Sequence, residues 1–373
     1  MLLVGSASRN AGKTTLACTV VESARRLGRP VAAVKVTIVR QEGRGCPRGD
    51  EGCGVCENLD VAFRLSEEVP GSGPDHSDTE RLLAAGARPV LWLCARPGTL
   101  ADAARALLER LPRGCPVVCE SNGLREVVEP DLFVIVRRSA TTEVKASARA
   151  QWEQADALVE SADGRFAPDA ADIGFHAGGW ALRRRATGVV LAGGRSTRMQ
   201  RDKALLPFEG RPLVSHVVEG LGAHVDEVLV SADDAAKYAF LALPVISDRV
   251  PQQGPMMAVA STLERARNDM VLYSPCDVPH LPPALVARLF RAARGGGDVI
   301  VPRGPDGRYE PLFAIYRRSA LPELLRALDA GERRIVRIYD RCDTRVVPVG
   351  PGDGLLNVNT AADYAALIGD KTS

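Results

Sequence analysis

The stretch Leu191-Ala192-Gly193-Gly194-Arg195-Ser196-Thr197-Arg198-Met199-Gln200-Arg201-Asp202-Lys203 decides the fold of the second half of the chain. It follows the apolar run Gly188-Val189-Val190, which reads as a strand. A strand that ends in paired glycines is a place where the backbone can turn sharply and set its N–H groups against an anion. Gly193 and Gly194 put no Cβ in the way. Arg198 and Lys203 can neutralise phosphate charge, and Ala204-Leu205-Leu206 returns to apolar packing. Leu191, Ala192, Gly193, Gly194 and Lys203 are therefore the expected contacts to a nucleoside triphosphate, with Arg198 and Lys203 neutralising its charge.

A second phosphate signature lies far upstream. Gly5-Ser6-Ala7-Ser8-Arg9-Asn10-Ala11-Gly12-Lys13-Thr14-Thr15 follows the apolar Leu2-Leu3-Val4 and runs into an amphipathic helix marked by Leu16, Val20, Val21, Ala24 and Leu27. Gly12-Lys13-Thr14 in a strand–loop–helix setting is the ending of a P-loop. Its backbone N–H groups cradle phosphates, Lys13 reaches the terminal oxygens, and the Thr14 hydroxyl can ligate Mg²⁺. Asn10, Ala11, Gly12, Lys13, Thr14 and Thr15 are the expected nucleotide contacts. Ala7 stands where the pattern places a glycine, and Gly5 is expected to serve the turn instead.

Bulk properties fit a two-domain enzyme of the cytoplasm. The chain has 373 residues, enough for two to three domains each burying its own core. Its net charge of +2 arises from mixed signs without a long basic block, which gives no case for nucleic acid as a partner. No apolar stretch approaches the ~20 residues of a membrane span. The start, Met1-Leu2-Leu3-Val4-Gly5, reads as a strand and not as a signal peptide. Nine cysteines in such a compartment are expected to be mostly reduced.

Apolar runs of strand length alternate with helical patterns throughout, which argues for α/β layers with mostly parallel sheets. In the first half these runs are 2–4, 31–36, 90–93, 117–119 and 132–136, and in the second 189–191, 227–230, 245–246, 270–273, 299–301, 313–315 and 346–349. Residues 161–185 are rich in Ala, Gly, Asp and Arg and end in Arg183-Arg184-Arg185, read here as a solvated linker end. The expected organisation is a P-loop NTPase-like domain over 1–165, a linker over 166–186, and a Rossmann-like three-layer α/β/α domain over 187–373.

The second half resembles the molybdenum cofactor guanylyltransferases. The likeness rests on 191–203, on Leu205-Leu206-Pro207 and Gly210-Arg211-Pro212-Leu213, and on Asp248 after an apolar strand. It continues through Gly254-Pro255, Pro275-Cys276-Asp277-Val278-Pro279, Gly331-Glu332-Arg333-Arg334 and Asn357-Val358-Asn359-Thr360 with Asp363. Gln200 and Met257-Ala258 depart from that family's usual residues. The resemblance implies transfer of GMP from GTP to Mo-molybdopterin with release of pyrophosphate, and molybdoenzyme apoproteins or their chaperones as recipients. It implies that Asp277 holds Mg²⁺, that Asp248 accepts hydrogen bonds from guanine, and that Asn357 and Asn359 lie on the pterin side. Of Arg333 and Arg334, one is expected to meet the anionic pterin. Two alternatives stay open: a molybdopterin cytidylyltransferase or other nucleotidyltransferase, and a non-catalytic protein that delivers cofactor or GTP.

The first half resembles, more distantly, the GTP-binding adaptor protein of molybdopterin guanine dinucleotide synthesis. It carries the P-loop, Val34-Lys35-Val36-Thr37, Asp78-Thr79-Glu80-Arg81 leading to Ala85-Gly86-Ala87, and Val118-Cys119-Glu120-Ser121-Asn122-Gly123 before Pro130-Asp131. Dethiobiotin synthetase-like enzymes share this layout. Glu120, at a strand end, is placed to act on Mg²⁺ or on its water. Within this half, Cys46, Cys53 and Cys56 sit in a Gly-rich loop as candidate ligands for zinc or an iron–sulfur cluster, with Cys18, His76 or a second subunit supplying the fourth. Free or redox-active surface thiols are the alternative.

Overall fold

The computed structural model describes residues 1–39, 59–71, 77–139, 144–176, 179–193, 202–350, 353, 358 and 360–369. The chain divides into two compact units, Met1–Trp180 and Ala181–Ser373.

The first unit is built on strands β1 (Leu2–Ser6), β2 (Ala32–Ile38), β3 (Phe63–Glu68), β4 (Val90–Ala95), β5 (Val117–Glu120), β6 (Leu132–Arg138), β7 (Ala157–Ala162) and β8 (Arg165–Ala167). They form one sheet in the order β3-β4-β2-β5-β1-β6-β7-β8. All neighbours are parallel except β3 against β4 and β8 against β7. Every residue of β1 is buried, as expected of a central parallel strand covered on both faces. Four helices accompany the sheet: α1 (Lys13–Arg26), α2 (Asp78–Ala84), α3 (Leu100–Arg110) and α4 (Ala146–Arg149). Leu100, Ala103, Ala104 and Leu107 of α3 share one core with Leu3, Val34, Leu91 and Leu93. In α1 the predicted stripe is buried at Leu16, Val20, Val21 and Ala24. Leu27 departs from it: it caps the helix end and is 77% exposed.

The second unit carries α5 (Leu213–Gly222), α6 (Pro255–Arg265), α7 (Pro283–Arg294), α8 (Leu321–Asp329) and α9 (Ala361–Gly369). Its strands follow β9 (Ile173–His176) and β10 (Gly179–Leu182) in sequence. They are β11 (Arg184–Leu191), β12 (Pro207–Phe208), β13 (Arg211–Pro212), β14 (Val225–Ser231), β15 (Val245–Ile246), β16 (Met270–Pro275), β17 (Val299–Arg303), β18 (Ile315–Arg317) and β19 (Thr344–Pro348). The main sheet runs β15-β14-β11-β16-β18-β17-β19. It is parallel except at β18, which opposes both β16 and β17. The alternation of strand side chains splits the core into two layers. Val190, Val230 and Leu272 pack with Val217 and Leu221 of α5 and Leu289 and Phe290 of α7. Val189, Leu229 and Val271 pack with Val259 and Leu263 of α6 and Leu324 and Leu328 of α8. Helices on both faces of a mixed sheet make the expected three-layer α/β/α arrangement.

The stretch expected to be a linker, 166–186, is instead largely strand. It carries the end of β8, all of β9 and β10, and the start of β11. Arg184, read as part of a solvated end, begins β11: its N–H donates to the His224 carbonyl at 2.9 Å, and its guanidinium lies 4.6 Å over the Phe290 ring. Its polar composition hides this because strand backbone and a stacked arginine stem need few aliphatic side chains.

Candidate functional site

In the second unit the expected residues converge on one edge of the sheet. Gly193 follows β11, Asp248 follows β15 and Asp277 follows β16, so all three stand at carboxyl ends of parallel strands, β11 and β16 adjacent and β15 beyond β14. Open α/β sheets bind ligands at that edge. The segment after β11 is tied in place on both sides: Ala192 N–H donates to the Ser231 carbonyl at 2.9 Å, and the Tyr238 hydroxyl donates to the Ala192 carbonyl at 3.1 Å. A Cβ built on Gly193 would come no nearer than 3.8 Å to the Ser231 carbonyl, so the protein itself leaves this glycine room on that side.

Lys203 and Asp277 meet, with Nζ 3.5 Å from Oδ2 and both side chains less than one-fifth exposed. Asp202 sets this geometry. Its Oδ1 accepts from Ala204 N–H at 3.0 Å, which starts a single helical turn at Lys203, and its other oxygen pairs with Lys237. Burial raises the Asp277 carboxyl above the usual carboxylate range, and the Lys203 ammonium only partly offsets that. Asp248 is pushed up to about 6 by burial and by the neighbouring Asp233 charge. Because β18 is reversed, β17 and β19 run in the same sense as β16, and the segments that follow them open on the same edge. Val358, in the second of these segments, donates its N–H to the Asp277 carbonyl at 2.9 Å. Arg333 is drawn elsewhere: its guanidinium donates to the carbonyls of Leu328 and Glu332, closing the end of α8. Gly194, Arg198, Asn357 and Asn359 lie outside the described residues.

The first unit has its own cluster at the end of β1. Gly5 does not serve the turn. It lies within β1, paired with Ile135, and a Cβ there would come within 3.1 Å of Phe133. The turn is made by Asn10 (φ 53°) and Gly12 (φ 91°), after which α1 begins at Lys13. A left-handed residue just before the helix aims the first N–H groups of α1 into the loop. Glu120, at the end of β5, is fully buried. Its Oε2 accepts from Thr14 at 3.2 Å and Lys35 at 3.1 Å and lies 3.6 Å from Lys13, while its Oε1 is buried with no partner among the described residues. Ser77 caps α2, which places Asp78 in the first turn. Asp78 accepts from Thr14 at 2.9 Å and from Lys35. Burial would raise Asp78, but Lys35 and Thr14 hold it below its ordinary value. Burial lowers Lys13, and the adjacent Lys35 charge lowers it further. Arg81 donates to the Thr15 hydroxyl at 2.9 Å.

Two cations escaped the sequence reading, Lys145 and Lys237. Neither belongs to a motif, and only long-range contacts place them: Lys145 N–H donates to the Ala7 carbonyl at 2.8 Å, and Lys237 meets Asp202. Cys46, Cys53, Cys56 and His76 lie outside the described residues. Burial pushes the Cys18 thiol up to about 11. No helix among the described residues is long and apolar enough to cross a membrane.

A MobA-like NTP transferase domain matches residues 188–345. A probable molybdenum cofactor guanylyltransferase of Carboxydothermus hydrogenoformans is 36% identical over 189 residues, 49% of this chain and 94% of that protein. The chain belongs to the molybdenum cofactor guanylyltransferase family. The guanylyltransferase of Vibrio cholerae is 35% identical over 182 residues, 48% of this chain and 88% of its own length. Molybdopterin-guanine dinucleotide biosynthesis protein A of Archaeoglobus fulgidus is a solved structure similar at TM-score 0.44 and 22% identity, covering 50% of this chain and 98% of that one. As a member of this guanylyltransferase family the chain is a nucleotidyltransferase, which sets aside the non-catalytic alternative.

Proposed function

We propose that the second unit transfers GMP from GTP to Mo-molybdopterin, giving the guanine dinucleotide form of the cofactor and pyrophosphate. The observation that carries this reading is the Lys203–Asp277 pair, partly buried at the strand edge beside Gly193, within a chain of this family. Attack of the acceptor's terminal phosphate on the α-phosphorus needs no covalent nucleophile, only positioning and charge stabilisation. The backbone after β11 cradles the triphosphate. Lys203 and Arg198 stabilise charge on the leaving pyrophosphate. Asp277, a carboxylate in a site that already seats one cation, suits Mg²⁺, which would neutralise the triphosphate when bound. Asp248 accepts from the N1–H and exocyclic amine of guanine, a donor pair that cytosine lacks, and Asn357 and Asn359 face the pterin.

The first unit, on the same proposal, is a P-loop GTP-binding domain that assists by holding nucleotide or a partner close to the transferase. Its Thr14 hydroxyl and the buried Glu120 carboxylate, with Oε1 unpartnered among the described residues, suit a hydrated Mg²⁺. An anaerobic assay of the full chain with Mo-molybdopterin and each of GTP, CTP and ATP tests the main reading. GTP is expected to give the dinucleotide and pyrophosphate in clear excess. Equal or greater turnover with CTP overturns the guanylyl assignment.

A further inference from the structure

We infer that Lys145 is a phosphate ligand of the first unit, swinging from the Ser6 hydroxyl to an oxygen of a nucleoside di- or triphosphate held by the loop 7–14. The inference rests on the reading of that loop as a nucleotide site. Lys145 enters from the segment that follows β6, far in sequence from the loop, yet two contacts pin it there. Its backbone N–H donates to the Ala7 carbonyl at 2.8 Å, and its Nζ donates to the Ser6 hydroxyl at 3.0 Å. Ser6 is the last residue of β1, so Lys145 approaches the loop from its first residues while Lys13 approaches from its last.

Among the described residues, the charges that act on Lys145 are all of one sign. Lys13 from α1, Lys35 from β2 and Arg9 from the loop face it, and the hydroxyl of Ser6 is neutral. Lys13 and Lys35 each have a carboxylate, Glu120, within 3.6 Å and 3.1 Å respectively. Lys145 has none among the contacts described. A half-buried ammonium in the field of three other cations has no carboxylate partner among the described residues, and a phosphate supplies the counter-charge. Burial first, then those three cations, lowers its pKa to about 8 in the free protein. Bringing a phosphate beside it favours the charged form and raises that value again. Binding near pH 8 therefore takes up a proton at Lys145, up to about half a proton per site.

The test is calorimetric titration of the full chain with Mg-GTP and with inorganic pyrophosphate. It is run at about pH 8 in two buffers of different ionisation enthalpy, and the binding that survives Lys13→Ala is assigned to the transferase site and subtracted. Lys145→Met is expected to weaken binding about ten- to a hundredfold and to remove Lys145's share of the proton uptake, leaving only what Lys13 contributes. Lys145→Arg is expected to keep affinity within about threefold but also to lose that share of the uptake, since guanidinium does not titrate. The Arg variant thus separates loss of charge from loss of fold. Wild-type affinity together with unchanged proton uptake in Lys145→Met overturns the inference. Lys13→Ala serves as the reference: if it leaves the titration intact, the nucleotide reading of the whole loop falls. If it abolishes binding while Lys145→Met changes nothing, only the role of Lys145 is wrong.

Discussion

Replacing Lys203 by methionine is expected to do more than slow the transferase; it should move the pH dependence of the reaction. In the folded chain Asp277 already sits above the ordinary carboxylate range because burial disfavours its charge, and Lys203, 3.5 Å away, is the group that opposes this. A unit pair at that distance is worth about 5 kcal/mol at an effective dielectric near 20. Both side chains are about one-sixth exposed, 17% and 18%, and water at the open edge screens part of that interaction, so the direction of the change is set by the pair and its size is held below that figure. Asp277 must be ionised to hold a cation, so activity falls as pH drops through its pKa. Removing Lys203 raises that pKa and carries the acid limb of kcat/KM to higher pH. The assay is pyrophosphate release under anaerobic conditions from about pH 5 to 9, for wild type and Lys203→Met. At the optimum, kcat should fall by about two to three decades, the usual cost of one preorganised charge contact to a transition state. A folded Lys203→Met enzyme with reduced kcat and an unmoved acid limb would refute the coupling of these two side chains.

Asp277→Asn should abolish transfer while leaving the melting temperature at pH 7 equal to or above that of wild type, by differential scanning calorimetry. A carboxyl whose folded pKa is raised favours the fold at low pH and loses that contribution as pH rises through the folded value, so the ionised form at pH 7 opposes folding. With its pKa near 6, Asp248 should make KM for GTP climb as pH falls from about 7 to 5, and Asp248→Asn should flatten that climb and reduce the preference for GTP over CTP. A chain limited to Ala181–Ser373 should fold and transfer GMP, whereas one starting at residue 187 should be less stable, having lost the Arg184 end of β11. Lys13→Ala in the full chain should lower transfer only modestly by weakening an assisting tether. Loss as complete as in Asp277→Ala would mean that the two units build one active site.

The sequence disclosed the parts of the fold that are buried on both faces. β1, β2, β4, β5 and β6, and most of the second sheet, are apolar runs that no helix periodicity explains. β3 and β7 were not legible, because Phe63-Arg64-Leu65-Ser66-Glu67-Glu68 and the Glu160-Ser161 end of β7 carry polar side chains at the margins of the sheet. In 166–186 the polar Pro168-Asp169-Ala170-Ala171-Asp172 and Arg183-Arg184-Arg185 flanks concealed a short, apolar and buried strand, β10. At the sites, Glu120, Gly193 and Asp277 end or follow strands and Lys13 and Thr14 open α1, positions where the sequence pattern changes from apolar run to loop, whereas Lys203 was carried by its motif. The turn was misplaced at Gly5 because the sequence does not say where a strand stops and a loop starts. Lys145 and Lys237 were invisible for a different reason: a lone lysine gains meaning only from a contact made across the chain.

The single reversed strand, β18, has a consequence for how this enzyme class can diversify. β15, β11 and β16 lead to the residues assigned to the nucleotide, while β17 and β19 lie beyond β18 and send 304–314 and the segment after Pro348 to the same rim. The rim is thereby divided into two neighbouring banks whose supporting strands do not hydrogen-bond each other directly. Insertions or exchanges in 304–314 leave the anchoring of Gly193 and Asp277 in β11 and β16 untouched, whereas the segment after Pro348 meets Asp277 through the Val358 N–H. Acceptor choice and nucleotide choice can then drift on separate schedules, with β18 as the seam between them.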